Sequence, residues 1–462
     1  MNESLFNPFT ISHPSAIQTS LVSGASFARF DPSGKLLVAG RPDGSGVVWD
    51  LDTRAAVRWC EGHVKGVTAV EYVHSQSNHP AVSIAHTCSW SRNSRFVLTA
   101  SKDWNIIIWD LASPSDPPRR HATIRFDAPV VTASFHPRNS RIILALLSTG
   151  EAYIVDLRST HRGRFELGGE DEGDEKRPIM TTARFDPTGR YAFAGTSAGT
   201  VEVYNVRTKM LVGRHRIAGA GVIKGLEFAN GGRRLATNSS DRTIRQFTLP
   251  AYPTPPEPHT TGESSKLSIS ETELEPTHRF NDPISKVSWH GMSYSPDGEW
   301  LAGGAADKAA HKIYIWDISN DGQFASALDG GREPLLYVHW HPRGPRLAST
   351  TTQGDILIWH CPSPERWGAF AGGFEEADEN VWYEEGESEF DLEDEVELAH
   401  RKKLQEDEGV DIIGGIDDSQ PPTTANEVGL PDVDFEWADE EGELDHKDWR
   451  MKLIMVDGEE GY

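Results

Sequence analysis

The sequence predicts an all-β fold, a seven-bladed β-propeller followed by an extended, largely disordered acidic C-terminal tail. Two observations predict it: one strand-and-turn template recurs seven times, and the charge changes abruptly after the last copy. Residues 1–360 carry 37 acidic and 38 basic side chains, whereas residues 361–462 carry 33 acidic and 7 basic. The formal net charge of −25 therefore comes from the C-terminal segment.

Length, cysteine use and hydropathy narrow the class of protein. A chain of 462 residues fits one large repeat domain with a tail. Cys60, Cys88 and Cys361 are far apart and odd in number, which argues against a disulfide framework and against a paired-cysteine metal site. Neither a signal-peptide pattern nor a long apolar run occurs. We therefore expect a soluble protein of a reducing compartment.

Each repeat has an innermost strand that ends on an aromatic residue. These anchoring aromatics are Phe30, Trp90, Phe135, Phe185, Phe228, Tyr294 and Trp340. They are separated by 60, 45, 50, 43, 66 and 46 residues, and the short spacings match the roughly 40–45 residues of a WD40 blade. The two long spacings indicate insertions near residues 73–86 and 252–278, and the second is predicted to be a surface loop.

Turn chemistry supports the same register. Residues 31–34, 186–189 and 295–298 place Pro second and Gly fourth, as type I turns prefer. A second aromatic column would pack between neighbouring sheets: Trp49, Trp109, Tyr204, Phe247, Trp316 and Trp359. The aspartates six residues upstream are expected to hold turns through hydrogen bonds, with the last shifted by an insertion: Asp43, Asp103, Asp241 and Asp307.

The blades must stack in a ring, because a single sheet of this kind cannot bury both of its faces. We expect seven blades, with an N-terminal strand closing the ring. The predicted organisation is an N-terminal segment at 1–20, the WD40 propeller at 21–362, a partner-binding segment at 363–397, and an acidic, mostly flexible tail with short docking motifs at 398–462.

Two motifs could indicate an enzyme, and neither has the expected context. Gly195 to Gly199 matches GxSxG, but a nucleophile elbow needs a strand-to-helix turn, and these residues fall between two predicted strands. His339 and His341 could share a metal, yet no third ligand accompanies them, and His341 aligns with His136 before a turn. We therefore predict a non-catalytic binding protein with no metal site and no cofactor.

A basic strip is predicted on one face of the propeller. The turn between second and third strands and the crossover between blades open onto the same face. Four cations fall at such positions in blades five to seven: Arg242, Lys286, Lys308 and Arg332. They could be ordinary solvated surface, or they could contact DNA phosphates, which require cations but no sequence code.

The segment after the last blade mixes acids with large apolar residues. Eight such residues punctuate the carboxylates: Trp367, Phe370, Phe374, Val381, Trp382, Tyr383, Phe390 and Leu392. A solubilising acidic tail is one interpretation. A segment that folds on binding, with aromatics in pockets and carboxylates facing a basic groove, explains both residue classes.

At this segment the chain resembles a known family. The chain resembles the retinoblastoma-binding protein five family, whose members are WD-repeat core subunits of COMPASS and MLL-type histone methyltransferases. The resemblance lies in seven WD repeats followed by residues 378–395, DENVWYEEGESEFDLEDE. The resemblance implies a non-catalytic nuclear scaffold and activator that helps a SET-domain enzyme methylate histone H3 on lysine four. It also raises the nucleosomal-DNA interpretation of the basic strip above the solvated-surface one.

The resemblance implies roles for particular residues. Contacts with the SET domain would come from Asn380, Val381, Tyr383, Glu384, Glu385, Glu387 and Ser388. An acidic box for a basic pocket of the SPRY-domain subunit would be Glu389, Phe390, Asp391, Leu392, Glu393, Asp394 and Glu395. Docking on a small WD-repeat scaffold subunit would use Val410, Asp411 and Ile412. Two other functions remain open on the residues alone: a ubiquitin-ligase substrate receptor and an acidic histone chaperone.

Overall fold

The computed structural model describes residues 13–64, 88–158, 161–168, 179–229, 231–252, 270–282 and 287–362. Within these ranges all regular structure is β, in 29 strands numbered here in chain order. The strands form seven sheets, and each sheet contains at least three consecutive antiparallel strands. The seven predicted blades are confirmed.

Every blade begins with an innermost strand whose last residue is an anchoring aromatic. These strands are β2 (Phe27–Phe30), β6 (Cys88–Trp90), β10 (Val130–Phe135), β14 (Met180–Phe185), β18 (Ile223–Phe228), β23 (Trp289–Tyr294) and β27 (Leu335–Trp340). All seven aromatics are buried. The innermost strands of blades two to seven contact one another in succession, β27 contacts β2, and β6 contacts β3 of blade one, so the blades form a closed ring.

The second and third strands carry the apolar core. The second strands are β3 (Leu36–Gly40), β7 (Phe96–Ala100), β11 (Ile142–Leu147), β15 (Tyr191–Thr196), β19 (Arg234–Ser239), β24 (Trp300–Ala305) and β28 (Arg346–Thr351). The third strands are β4 (Gly46–Asp50), β8 (Asn105–Asp110), β12 (Ala152–Asp156), β16 (Thr200–Asn205), β20 (Ile244–Thr248), β25 (Lys312–Asp317) and β29 (Asp355–His360). In β11 all six residues are buried, because neighbouring blades cover both faces of the sheet.

The outermost strands are more polar and more exposed. They are β5 (Ala55–Cys60), β9 (Arg119–Arg125), β13 (Gly163–Glu166), β17 (Leu211–Ile217), β22 (His278–Phe280), β26 (Gln323–Asp329) and, for blade seven, β1 (Ala16–Val22). β1 pairs antiparallel with β29, so the two ends of the propeller sequence meet in one sheet. The predicted closure by an N-terminal strand is confirmed, and the strand begins at Ala16, ahead of residue 21.

The insertion at residues 252–278 contributes a strand, so its prediction as a surface loop is wrong in part. β21 (Ser270–Leu274) pairs parallel with β17 and becomes the fifth strand of blade four. His215 contacts residues on both sides of the insertion: its Nδ1 atom lies 2.6 Å from Thr272 Oγ1, and its Nε2 atom lies 2.7 Å from the Tyr252 hydroxyl. Leu274 is buried among the side chains between blades four and five. This apolar contact and the backbone ladder stabilise a segment that looked like a linker by composition.

Candidate functional site

The predicted turns form as their residues suggest. The Gly34 amide donates to the Asp31 carbonyl at 3.0 Å, and the Gly189 amide donates to the Asp186 carbonyl at 3.0 Å. Asp31 Oδ1 also accepts the Leu36 amide at 2.8 Å, which holds the start of the second strand. Turns of this kind set where each blade reverses and therefore which side chains face the ring centre.

Two histidines tie these turns to the neighbouring blade, and we call them the interblade histidines. The Nε2 atom of His136 lies 2.8 Å from the Gly189 carbonyl, and Nε2 of His341 lies 2.9 Å from the Gly34 carbonyl. Their Nδ1 atoms accept backbone amides, including that of Arg343 at 3.1 Å. His341 thus has the packing and turn role that its alignment with His136 suggested, rather than that of a metal ligand. Among the described residues no cluster suitable for a metal ion occurs.

The aspartates six residues upstream of the second aromatic column hold turns, as the sequence predicted. Asp43 accepts the Ser45 amide at 2.8 Å, Asp103 accepts the Asn105 amide at 3.0 Å, and Asp307 accepts the Ala309 amide at 3.1 Å. Burial alone would raise the pKa of Asp241, but hydrogen bonds from Arg245 and Ser239 outweigh it, so the pKa is lowered. These carboxylates have structural partners.

Blade two contains a hydrogen-bonded chain from its core to its rim. The Trp109 indole N–H donates to Thr99 Oγ1 at 2.8 Å, Thr99 Oγ1 lies 2.9 Å from His63 Nε2, and His63 Nδ1 lies 2.9 Å from Asp103. Since a carboxylate only accepts, the network assigns the proton of His63 to Nδ1. These hydrogen bonds satisfy buried polar atoms and link blade two to the segment that follows β5.

The GxSxG match lies where the sequence placed it. Gly195 and Thr196 end β15, Thr200 begins β16, and Gly199 has a left-handed φ of 78° in the hairpin turn. The backbone N–H of Ser197 donates to the Ile179 carbonyl at 2.9 Å. A strand-to-strand hairpin lacks the geometry of a nucleophile elbow.

The basic strip is placed on one face by strand direction. Arg242 lies in the turn between β19 and β20, Lys308 in the loop between β24 and β25, and Arg332 in the crossover from β26 to β27. All three are exposed. In four antiparallel strands, these connections all leave the same end of the ring. Lys286, the fourth member, lies outside the described residues.

The predicted SET-domain contacts, the acidic box and the WD-subunit motif all fall between residues 380 and 412. They lie outside the described residues, and their roles stay predictions.

A feature that the sequence analysis missed lies at the centre of the ring. A cavity of about 290 Å³ is lined by residues from the innermost strands of all seven blades. In blades one to five, the residue just before each anchoring aromatic contributes to its wall: Arg29, Ser89, Ser134, Arg184 and Glu227. The sequence signal was available, because charged residues occupy a column in which blades two, three and six have serine.

A family model described as "WD domain, G-beta repeat" matches residues 70–110. A retinoblastoma-binding protein 5 homolog of Drosophila melanogaster is 33% identical over 423 residues, which covers 89% of this chain and 76% of that protein. The chain belongs to the retinoblastoma-binding protein 5 and Swd1 family.

Two further relatives represent the fungal branch of this family. The "Set1 complex component swd1" of Schizosaccharomyces pombe is 31% identical over 407 residues, covering 86% of this chain and 91% of that protein. The crystal structure of the Cps50 (Swd1) β-propeller domain from Myceliophteria thermophila matches with a TM-score of 0.62 and 29% identity, over 76% of this chain and all of that one. The family's propeller is thus the fold seen here. No helix of the described ranges is long and apolar enough to cross a membrane.

Proposed function

We propose that this chain is a non-catalytic scaffold and activator subunit of a nuclear, COMPASS-type histone H3 lysine-four methyltransferase. The observation that carries the proposal is the extent of the family match. Coverage of 89% of 462 residues is about 411 residues, more than the 362 that end with the propeller. The similarity therefore continues into the acidic segment, and two fungal relatives are named as Set1 complex or COMPASS components.

The proposed division of labour follows the chain. The propeller serves as a rigid scaffold, residues 380–388 contact the SET domain, residues 389–395 fill a basic pocket of the SPRY subunit, and residues 410–412 dock on the small WD-repeat subunit. Carboxylates interleaved with aromatics suit this role, since the charges steer and orient binding while the rings fill pockets.

The proposed mechanism is a shift in the conformational population of the SET domain. A bound segment favours a competent state only by as much as it binds that state better than the others. A tenfold gain in activity requires about 1.4 kcal/mol of such preference. This is within reach of one or two buried aromatic contacts, and the subunit needs no catalytic group.

Deleting residues 378–395 tests the mechanism. We expect the propeller to keep its melting temperature while methyltransferase activity of the reconstituted complex on histone H3 falls at least tenfold. A control chain carries the same residues in shuffled order, which keeps length and charge. Loss of activity in both variants supports specific docking, whereas full activity in the deletion variant refutes the assignment.

Two narrower variants separate the proposed contacts. Replacing Glu393, Asp394 and Glu395 by Lys should abolish capture of the SPRY subunit, because the basic pocket would meet like charge. Replacing Val381 and Tyr383 by Ala should lower activity while the SPRY subunit still co-purifies. If both variants lose the same partner, the boundary near residue 388 is misplaced.

Nucleosome contact by the basic strip is tested by replacing Arg242, Lys286, Lys308 and Arg332 with Glu. If each contacts a phosphate, the slope of log affinity against log salt should become shallower by roughly 3–4. The matched control reverses four exposed cations on the opposite face: Lys35, Arg54, Arg233 and Arg343. Equal effects of both variants would show general charge repulsion and would sink the DNA-contact proposal.

Affinity purification with mass spectrometry separates the remaining alternatives. A COMPASS subunit should recover SET-domain and SPRY-domain partners. Ligase adaptors would instead support a substrate receptor, and free histones without a methyltransferase would support a chaperone.

A further inference from the structure

The central cavity holds charged side chains contributed by blades one, four and five. Arg29 comes from β2, Arg184 from β14 and Glu227 from β18. Each stands one residue before an anchoring aromatic, so the ring brings the same structural position of three blades towards a shared centre. Charge at this depth is costly unless a partner compensates it.

Arg184 and Glu227 compensate each other. Their side chains form a two-point ion pair, with Arg184 Nη2 donating to Glu227 Oε1 at 2.8 Å. Arg184 Nη1 also donates to the Leu226 carbonyl at 3.2 Å. Burial raises the pKa of Glu227, and the two nearby arginines act against that rise. The other acid of the cavity wall, Asp186, is held by its own turn, where its Oδ1 accepts the Tyr191 amide at 3.0 Å and its Oδ2 accepts the Thr188 hydroxyl.

The Arg29 side chain has no hydrogen-bonded partner among the described residues. Its guanidinium forms no hydrogen bond or ion pair with any described residue, although it lines the cavity and lies near Arg184 and Glu227. Burial and the Arg184 charge lower the pKa of Arg29, and they outweigh the opposing attraction of Tyr337 and Glu227. An arginine stays protonated in proteins, so the cavity contains a cation in an environment that disfavours its charge.

A second cation lies higher in the same cavity. Lys224 also lines the wall and forms no hydrogen bond or ion pair with the described residues. Burial lowers its pKa. The neighbouring His290 is driven neutral, because burial and the Lys224 charge lower its pKa to about 4. Lys224 lies four residues before the anchoring aromatic of its blade, whereas Arg29 lies one residue before that of its own blade. This difference of three strand positions separates the two cations by about 10 Å along the strand direction.

Hydroxyl donors add to this excess. Ser89 Oγ accepts the Phe135 amide at 3.1 Å, which leaves its O–H free to donate into the cavity. Ser134 also lines the wall. Hydroxyls, a guanidinium and an ammonium together can satisfy a ligand that offers only acceptors and negative charge.

The geometry points to a binding site for a small polyphosphate-class anion in the central channel, held by Arg29 at one depth and Lys224 at another. Phosphate oxygens accept from a guanidinium fork and from hydroxyls at once. A ligand with more than one phosphate group can reach both cations, whereas a single phosphate reaches one. The site does not depend on membership of a methyltransferase complex.

The test is isothermal titration of the full-length protein with sodium tripolyphosphate at low salt. We expect one binding site per chain, with weaker binding of inorganic phosphate. Arg29→Met and Lys224→Met should each weaken binding about tenfold or more, since each removes a charge-assisted contact. Lys224→Arg should retain it. The controls Lys35→Met and Arg233→Met, at exposed positions outside the cavity, should leave affinity unchanged.

Thermal melting of each variant shows whether it folds. If Arg29→Met does not fold, the test is made with Arg29→Lys, Lys224→Met and Lys224→Arg. Absence of binding, several sites per chain, or equal losses in the control variants would overturn the proposal. Binding of citrate but not tripolyphosphate, with the same dependence on Arg29 and Lys224, would overturn the phosphate assignment.

Discussion

Replacing Thr99 by Val should destabilise the propeller by removing one oxygen from the blade-two chain of hydrogen bonds. Thr99 is fully buried, and valine has nearly the same shape. The substitution leaves the Trp109 indole N–H and His63 Nε2 without their partner, and both side chains are almost completely buried. Each unsatisfied buried group costs about 1–3 kcal/mol, so we expect the two groups together to cost roughly 2–6 kcal/mol.

The measurement is urea unfolding followed by tryptophan fluorescence, with the midpoint as readout. The control is Thr248→Val, the same change at the exposed last residue of β20, and it should shift the urea midpoint little. A second test places Thr99→Val in a Trp109→Phe background, where the indole donor is already absent. The added cost should then be smaller by at least ~1 kcal/mol. A Thr99→Val variant as stable as the control would refute the reasoning.

Three further predictions concern the same propeller. Burial by itself would raise the pKa of Asp103, but attraction to His63 and hydrogen bonds from His63 and two backbone amides lower it below 3.8. The stabilisation by the Asp103 carboxylate is therefore present above pH 3.8 and is lost as the pH falls through the lowered pKa. The decline in the urea midpoint between pH 5 and pH 3 should therefore be shallower in Asp103→Asn, and an unchanged decline would contradict this. Gly189→Ala should lower the free energy of unfolding by about 2–4 kcal/mol, because a Cβ atom there would lie 2.3 Å from Nε2 of His136. Gly219→Ala, also at positive φ but with nothing within 4 Å, should lose only about 1 kcal/mol, and equal melting temperatures would argue against the contact. Leu21→Asp should lower the melting temperature strongly, because Leu21 is buried between blades seven and one, while Val22→Asp, 81% exposed, should not; similar effects would mean that β1 does not close the ring.

The candidate sites were predictable to different degrees. The face that carries Arg242, Lys308 and Arg332 followed from strand order alone, since alternate connections of an antiparallel sheet leave the same end. The channel charges were not predicted, although Arg29 and Arg184 stand at equivalent positions of their repeats. One repeat viewed alone does not show that its penultimate residue meets those of blades on the other side of the ring.

What the sequence determined by itself was local and repeated: seven anchoring aromatics, turns of Pro and Gly, and a core of β-branched and aromatic residues. These features act within about forty residues, and each copy supports the same register. Only the tertiary structure decided that β21 adds to blade four and that Arg29, Arg184 and Glu227 meet in one cavity. Both depend on contacts between segments far apart in the chain, and those contacts exist only after the ring has closed.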